Sequence, residues 1–307
     1  MSDSLPSQAR VVIIGGGIAG ASVAYHLTGL GETDVVVLER GTLTCGTSWH
    51  AAGLIMQLRS SHSLTALARY NVELYSQLES ETGQAVGFKQ NGTLALARTR
   101  DRLIELKRSA TIAKSFGIEA ELIGPSQAQN LYPALDSRQI QGGLFVPGDG
   151  QLNAVDAVMA LFAGARKLGA QVFENTPVEH LQRTSSGLYR VVTPSGIVEC
   201  EQLVLCCGLW TPGLAAQLGV HVPLHACEQM YVVTEPMDLA LATLPVLRDT
   251  DGYTYIKEDA GKLLVGSFEP RGKPLPVTGL PVEQFFIELA EDWEHFELPY
   301  RKAMEII

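Results

Sequence analysis

Charge is sparse in this sequence. Of 307 residues only 18% are Asp, Glu, Lys or Arg, and the acidic ones prevail, leaving a formal net charge of −10. No block of basic residues stands out, so nucleic acid and anionic membrane surfaces are poor partners. Long apolar runs are also lacking. The longest near the start, Val11 to Ile14, follows a polar MSDSLPSQAR and is too short for a signal-peptide core or a membrane span. That leading segment has no Arg-rich amphipathic pattern either, so no transit peptide is predicted and a cytoplasmic location is expected, with the mitochondrial matrix as the eukaryotic alternative. Cysteine is scarce and unpaired in spacing: Cys45, Cys200, Cys206, Cys207 and Cys227 form no C-x-x-C, and the histidines show no metal-ligand spacing. A metal site is not expected, and a reducing compartment fits. What the chain has in quantity is apolar side chain, 46%, enough for a sizeable core and against disorder.

The organisation reads as α/β. Arg10 to Ile14 forms a buried strand that runs into GGGIAG. A helix follows from Ile18 to Leu30, then a second strand, Val35 to Leu38, ending in Glu39. Further helices are predicted from Leu64 to Gly83, Arg100 to Phe116 and Ala154 to Leu168. Strands are predicted at Thr93–Ala97, Gln171–Phe173 and Leu203–Cys207, with turns at 185–187 and 194–196. From Pro223 onward Tyr231–Thr234, Tyr253–Ile256 and Leu263–Ser267 read as an antiparallel sheet. A last amphipathic helix is expected to begin near Pro281 and restart near Leu298. It meets no Gly, Asn or Pro stop before Ile307, so the chain is expected to be truncated.

Gly15, Gly17 and Gly20 fit G-x-G-x-x-G between a strand and a helix. The first permits a tight turn, the second lets backbone approach a pyrophosphate, and the third lets helix pack on strand. The helix start supplies free N–H groups and partial positive charge for phosphates. Glu39 lies 19 residues after Gly20, where an acid meets ribose hydroxyls. A dinucleotide is implied, but the glycines do not separate FAD from a nicotinamide cofactor.

The stretch Glu39 to Leu54, ERGTLTCGTSWHAAGL, resembles the dimethylglycine and sarcosine dehydrogenases, FAD enzymes of the D-amino-acid-oxidase-like superfamily. ETGQAVGFKQNGTLALA, VPGDGQLN, MALFAGARKLGA, YVVTE and LPVLRD extend the resemblance over essentially the whole chain. It implies a flavin carried covalently by His50, in Ser48-Trp49-His50-Ala51-Ala52-Gly53, where the family pattern has threonine for Ser48. An imidazole is a competent nucleophile at neutral pH. The resemblance further implies that Gly15, Gly17, Ile18, Ala19, Gly20, Glu39, Arg40, the loop Gly46, Thr47, Ser48, Trp49, His50, Ala51, Ala52, Gly53, Leu54, and Val178, Gly208 and Trp210 line the FAD.

The same resemblance implies a Rossmann-type FAD lobe from residues 10–80 and 150–220. A second α+β substrate lobe, on a mixed and largely antiparallel sheet, would take 85–149 and 221–307. A final FAD-lobe segment, and commonly a folate-binding domain using tetrahydrofolate, would follow Ile307. The implied reaction is oxidation of an N-methyl C–H bond of a small N-methylated amino acid. Either oxygen or an electron-transfer flavoprotein would accept the electrons. Tyr255 matches a pocket tyrosine of the family, though a sheet tyrosine would look the same. Gln229 stands where several relatives carry histidine, and it cannot act as a base. Arg59 is a candidate for the substrate carboxylate. PLHACE and EDWEHFE also resemble the non-catalytic regulatory subunit of pyruvate dehydrogenase phosphatase, which lacks the matching histidine. A nicotinamide-dependent dehydrogenase would explain the glycines and Glu39 but not the Trp49-His50 loop.

Overall fold

The computed structural model describes residues 4–237, 243–276 and 285–307. Its first sheet runs in the order β8-β2-β1-β11-β10-β9. The strands are β1 (Gln8–Ile14), β2 (Val35–Leu38), β8 (Gln171–Phe173), β9 (His180–Arg183), β10 (Tyr189–Thr193) and β11 (Gly196–Leu205). The four at the β8 end pair in parallel, and β9–β10–β11 is an antiparallel meander whose turns carry Gly187 and Gly196 at positive φ. The central strands are buried on both faces, which is why they read as unbroken runs such as VVVL rather than as alternation. One face packs on helices α1 (Ile18–Gly29) and α5 (Ala154–Lys167), with Ala21, Ala24, Leu161 and Phe162 against Val11, Ile13, Val35 and Val37. Helix α2 (His62–Thr82) closes the same layer. It starts where Ser61 Oγ accepts from Leu64 N and stops at Gly83, in the left-handed conformation that glycine takes without strain.

The second sheet runs β13-β16-β15-β14-β4-β6-β5. Its strands are β4 (Thr93–Ala97), β5 (Glu121–Ile123), β6 (Gly142–Val146), β13 (Tyr231–Val233), β14 (Val246–Asp249), β15 (Thr254–Asp259) and β16 (Lys262–Ser267). All pair antiparallel except β4 with β14. Leu94, Leu247, Ile256 and Val265 turn one face toward α4 (Pro125–Leu131) and α7 (Trp293–Met304). Part of the other face packs on α3 (Arg100–Ser115), with Ala97, Leu144 and Val146 against Leu106 and Ala113. Two short ribbons, β3 (Leu54–Ile55) with β7 (Gly150–Gln151) and β12 (Cys227–Glu228) with β17 (Lys273–Pro274), complete the strands. The β7 ribbon ties the sheets together: Gln151 Nε2 donates to the backbone carbonyl of Glu258 at 3.1 Å, and Lys89 Nζ meets the Glu258 carboxylate at 2.8 Å.

Two expectations need correction. The helix expected to restart near Leu298 begins earlier, at Trp293, while the expected start near Pro281 lies outside the described residues. Residues 281–284 lie outside the described residues, and 285–292 are not helical. Asp292 sets the start, its side chain accepting from His295 N at 3.0 Å, and the helix runs unbroken through the expected restart at Leu298, with Pro299 inside it. The helix does stop, at Met304, after which Ile306 packs fully buried into the second core. The strand expected at 203–207 ends at Leu205. Cys206 N still donates to Ile14 O, but the chain then turns.

Candidate functional site

The carboxyl ends of β1 and β11 meet at the glycine turn. Gly15 has φ +119°, and a Cβ there would fall 2.3 Å from Cys206 O. A Cβ on Gly20 would fall 1.9 Å from Gly15 O. Any side chain at either place would push strand, turn and helix apart, so the spacing of these glycines is dictated by backbone contact. Ile18 and Ala19 are exposed at the start of α1, whose cap residue Gly17 has no side chain to satisfy the first N–H groups. Glu39 is buried rather than solvent-facing. One of its oxygens accepts from Gly16 N at 2.6 Å, and the other accepts from Gly41 N at 3.0 Å and Cys45 Sγ at 3.3 Å. A carboxylate accepting from the turn glycines fixes the height of the loop above the helix.

The Gly46–Leu54 loop folds back onto that turn. Ser48 Oγ accepts from Ile18 N at 3.0 Å, so the residue that replaces the family threonine still does a hydroxyl's work at the helix start. Ser48–His50 forms one 3-10 turn, and Trp49 and His50 lie with ring centroids 3.8 Å apart. Gly53, at φ +72°, lets the chain drop against the ribbon: its Cβ would sit 2.0 Å from Leu152 O, and its own carbonyl accepts from Leu152 N. His50 is half-buried, and its Nε2 lies 2.8 Å from the carbonyl of Ile287. A carbonyl only accepts, so Nε2 is the donor in this contact. Residues 285–287 cross this loop by two further contacts: Phe286 N donates to Cys45 O, and Phe285 packs on Gly41.

Arg40 and Trp210 form the other wall. The guanidinium carbon stands 3.8 Å from the centre of the indole ring, and Trp210 also packs near Gly46. Arg40 Nη2, Trp49 Nε1 and Trp210 Nε1 are all buried with no hydrogen-bond partner among the described residues. Buried donors are normally paired, and three orphans around one loop mark where a polar ligand belongs. A dinucleotide with its pyrophosphate at the start of α1 fits that arrangement. Val178 is half-buried beside β9, Gly208 is exposed at φ +55° after β11, and Thr47, Ala51 and Ala52 line the outer edge of the loop. The thiols nearby are inert: burial pushes Cys207 up to about 12, and burial, aided by the Glu39 carboxylate, does the same for Cys45. No cluster of metal-ligating side chains occurs among the described residues.

The second sheet presents Tyr255 on the face opposite its packed core. Burial, with Tyr231 and Glu269 nearby, pushes its phenol up to about 12, so it is a hydrogen-bond donor at neutral pH and not a base. Its ring lies over Gly266 and 5.1 Å from Phe268. Gln229 is exposed on the connection into β13, and Arg59 is exposed beyond the ribbon, its backbone tied to Thr65. The residue that sequence reasoning missed is Arg248, on β14. It is half-buried, its Nε has no partner, and it lies directly across from Tyr255 in register. A single Arg inside the apolar-then-acid run LPVLRD was the available signal. The groove lined by Tyr25, His26, Tyr70, Glu81 and Lys167 includes none of the predicted site residues.

The profile of the FAD dependent oxidoreductase (DAO) family matches residues 10–305, and the chain belongs to that family. Among curated proteins it is 42% identical, over 99% of its own length, to 4-methylaminobutanoate oxidase (formaldehyde-forming) of Paenarthrobacter nicotinovorans, of which it covers 37%. It is 40% identical to the mitochondrial pyruvate dehydrogenase phosphatase regulatory subunit of Mus musculus, over 96% of this chain and 34% of that one. It is 39% identical to the mitochondrial dimethylglycine dehydrogenase of Homo sapiens, over 87% of this chain and 31% of that one. The chain thus spans about a third of the length of these relatives. Its fold matches the L-proline dehydrogenase of P. horikoshii at TM-score 0.86 and 24% identity, over 99% of this chain and 78% of the other. No helix among the described residues is long and apolar enough to cross a membrane.

Proposed function

We propose that this chain is the catalytic FAD-binding part of an oxidoreductase that removes hydride from the N-methyl group of a small N-methylated amino acid, with the flavin attached covalently through His50. One observation carries the reading: the Trp49-His50 loop is pinned to the start of α1 by Ser48, next to three orphaned donors, with His50 Nε2 held to the Ile287 carbonyl. When bound, the flavin would supply the hydride acceptor. The start of α1 and the buried Glu39 would hold the pyrophosphate and ribose end. Arg40, Trp210 and the backbone of Val178 would hold the rest of the cofactor. Tyr255 orients the substrate by donating its hydroxyl. Neither Tyr255 nor Gln229 takes a proton at neutral pH, so the amine must be bound in its neutral form, which a partly desolvated pocket favours. Loss of hydride leaves an iminium, which water converts to formaldehyde and the demethylated amine. Tetrahydrofolate takes the carbon instead where a folate-binding segment accompanies this chain. Five free cysteines accord with a reducing compartment such as the cytoplasm or the mitochondrial matrix.

Acid precipitation of the full-length protein tests the attachment. Colour should stay with the wild-type pellet and leave with His50→Ala. Wild-type colour in the supernatant would refute the covalent link but leave FAD in place. Anaerobic mixing tests the chemistry: sarcosine or dimethylglycine should bleach the flavin and NADH should not. The regulatory-subunit reading draws on the 40% identity over nearly the whole chain, and it is favoured if no methylated amine bleaches the flavin.

A further inference from the structure

The helices packed on the first sheet, α1, α2 and α5, bring their C-terminal ends to one place. Between the ends lies a groove of about 390 Å³, open to solvent. It is remote from the cofactor site. Helix α1 starts at the glycine turn and reaches the groove at the end of its 12 residues, about 18 Å away. Two glycines shape the groove. Gly164 of α5 lets the Tyr25 ring lie against that helix, since a Cβ there would fall 2.7 Å from Tyr25 Cδ2 and Cε2. Gly29, the last residue of α1, has no atom within 4 Å of where a Cβ would sit, so the groove stays open beside it. The walls are aromatic. Tyr25 and His26 stand edge to face with centroids 5.2 Å apart, and His26 and Tyr70 are tilted at 5.5 Å. His26 is tied through Nδ1 to Ser22 O and through Nε2 to the Tyr70 hydroxyl, each at 2.7 Å, which fixes that wall.

The electrostatics of the groove favour a cation. A helix carries about half a negative charge at its C-terminal end, and three such ends meet here. The Glu81 carboxylate adds a full one. One of its oxygens accepts from the Tyr25 hydroxyl at 2.5 Å, and Glu81 enters no ion pair among the described residues. Burial, and then that carboxylate, push the Tyr25 phenol above the ordinary tyrosine range, so it stays a neutral donor at neutral pH. The opposing charge is Lys167. Its ammonium is already engaged at the end of α2, where it donates to Thr82 O at 2.6 Å and Glu81 O at 3.4 Å. Leu30 and Leu168, both exposed, add apolar surface at the rim. A bare metal ion is a poor match, since no cluster of metal-ligating side chains occurs among the described residues. Aromatic walls, an apolar rim and a free carboxylate oxygen suit a cation whose charge is wrapped in methyl groups, as in the quaternary ammonium ligands of aromatic cages.

We propose that this groove is a second ligand site that binds methylated ammonium groups, with the Tyr25 and Tyr70 rings and the free Glu81 oxygen holding the cation. The site is separate from the flavin and stands independently of the amine oxidation proposed above.

The test is calorimetric binding to the full-length holoprotein, with flavin absorbance followed in parallel. The probe is choline, a trimethylammonium. The control is the dimethylbutanol of the same shape, in which carbon replaces the cationic nitrogen. Choline should bind in the millimolar range without changing the flavin spectrum. The uncharged analogue should bind about 5- to 30-fold more weakly, the loss of two cation–ring contacts. Glu81→Gln should weaken choline by about 2- to 5-fold, and Lys167→Met, which removes the opposing charge, should tighten it by a similar factor. Gly29→Leu is the blocking variant. Gly29 is not in the left-handed region and its Cβ would meet open space, so the fold should survive while choline binding is lost. Equal binding of choline and the dimethylbutanol, no choline binding by wild type, or unchanged affinity in Gly29→Leu overturns the site. Choline binding that perturbs the flavin and survives Gly29→Leu belongs to the cofactor side and overturns it as well. Should Gly29→Leu fail to fold, Tyr70→Leu, at a position 42% exposed, removes a wall of the groove and should weaken choline but not the dimethylbutanol. Equal weakening of both would refute a cation site.

Discussion

Replacing Gly266 with alanine should displace Tyr255, and the structure sets the size of the effect. A Cβ at 266 would lie 2.1 Å from Tyr255 Cζ and 2.3 Å from its hydroxyl oxygen, well inside van der Waals contact. The backbone of Gly266 is not in the left-handed region, so the substitution meets no conformational penalty of its own. All of its cost should come from moving one ring. Overpacking of this kind costs about 1–3 kcal/mol. The ring cannot yield inward without meeting Phe268, at 5.1 Å between centroids, so a value of about 2 kcal/mol is expected. The decisive measurement is a double-mutant cycle by urea denaturation of the full-length protein. Tyr255→Ala removes the obstacle, so in that background Gly266→Ala should cost close to nothing, giving a coupling energy of about 2 kcal/mol. Additive effects of the two substitutions would show that Tyr255 does not lie across Gly266, and would withdraw the cross-strand placement on which its role in the pocket depends.

Tyr255→Phe keeps the ring over Gly266 and removes only the donor; flavin reduction by dimethylglycine should slow about tenfold, as befits one hydrogen bond of about 1–2 kcal/mol, with FAD content unchanged. Normal reduction kinetics would return Tyr255 to a packing role. Glu39→Gln puts an amide where the turn glycines need an acceptor on both oxygens. It should lower stability by about 1–3 kcal/mol and reduce flavin retained through gel filtration, and a variant with wild-type stability and full flavin content would show that the buried carboxylate is dispensable.

How much of this was legible in the sequence follows from the range of the interactions. The glycine turn is legible because Gly15, Gly17 and Gly20 sit within one strand–helix junction at a recognisable spacing, although the contact that requires Gly15 comes from Cys206 after β11. Helix ends set by Ser61, Gly83, Thr99 and Asn153 are local, since their side chains or backbone act within four residues. The last helix shows the limit. Its start at Trp293, ahead of the expected restart at Leu298, is set by the Asp292 cap, which periodicity does not weigh. Pro299 then sits inside it, where a local rule predicts a break and burial in the core overrides the rule.

The candidate site is less legible than the fold, because its two halves are joined by pairings across long stretches of chain. His50 is singled out by the resemblance of the stretch Ser48 to Gly53 to a family pattern, all within one short loop. Arg248 offered only a lone Arg in the run LPVLRD, because its meaning lies in what it lacks. Its identity as an unpaired cation emerges only when β14 falls between β4 and β15, when Ala95 and Gly266 leave space on the sheet, and when Asp149 is seen to be engaged by Gln57 and Thr93. The positions follow from register, and a shift of β14 by one residue would bury Arg248 between Leu94 and Ile256 and turn Leu247 out of the core. The hydrophobic alternation that fixes the register therefore also aims the arginine. The core leucines and isoleucines are what place a guanidinium and a phenol side by side on the opposite face.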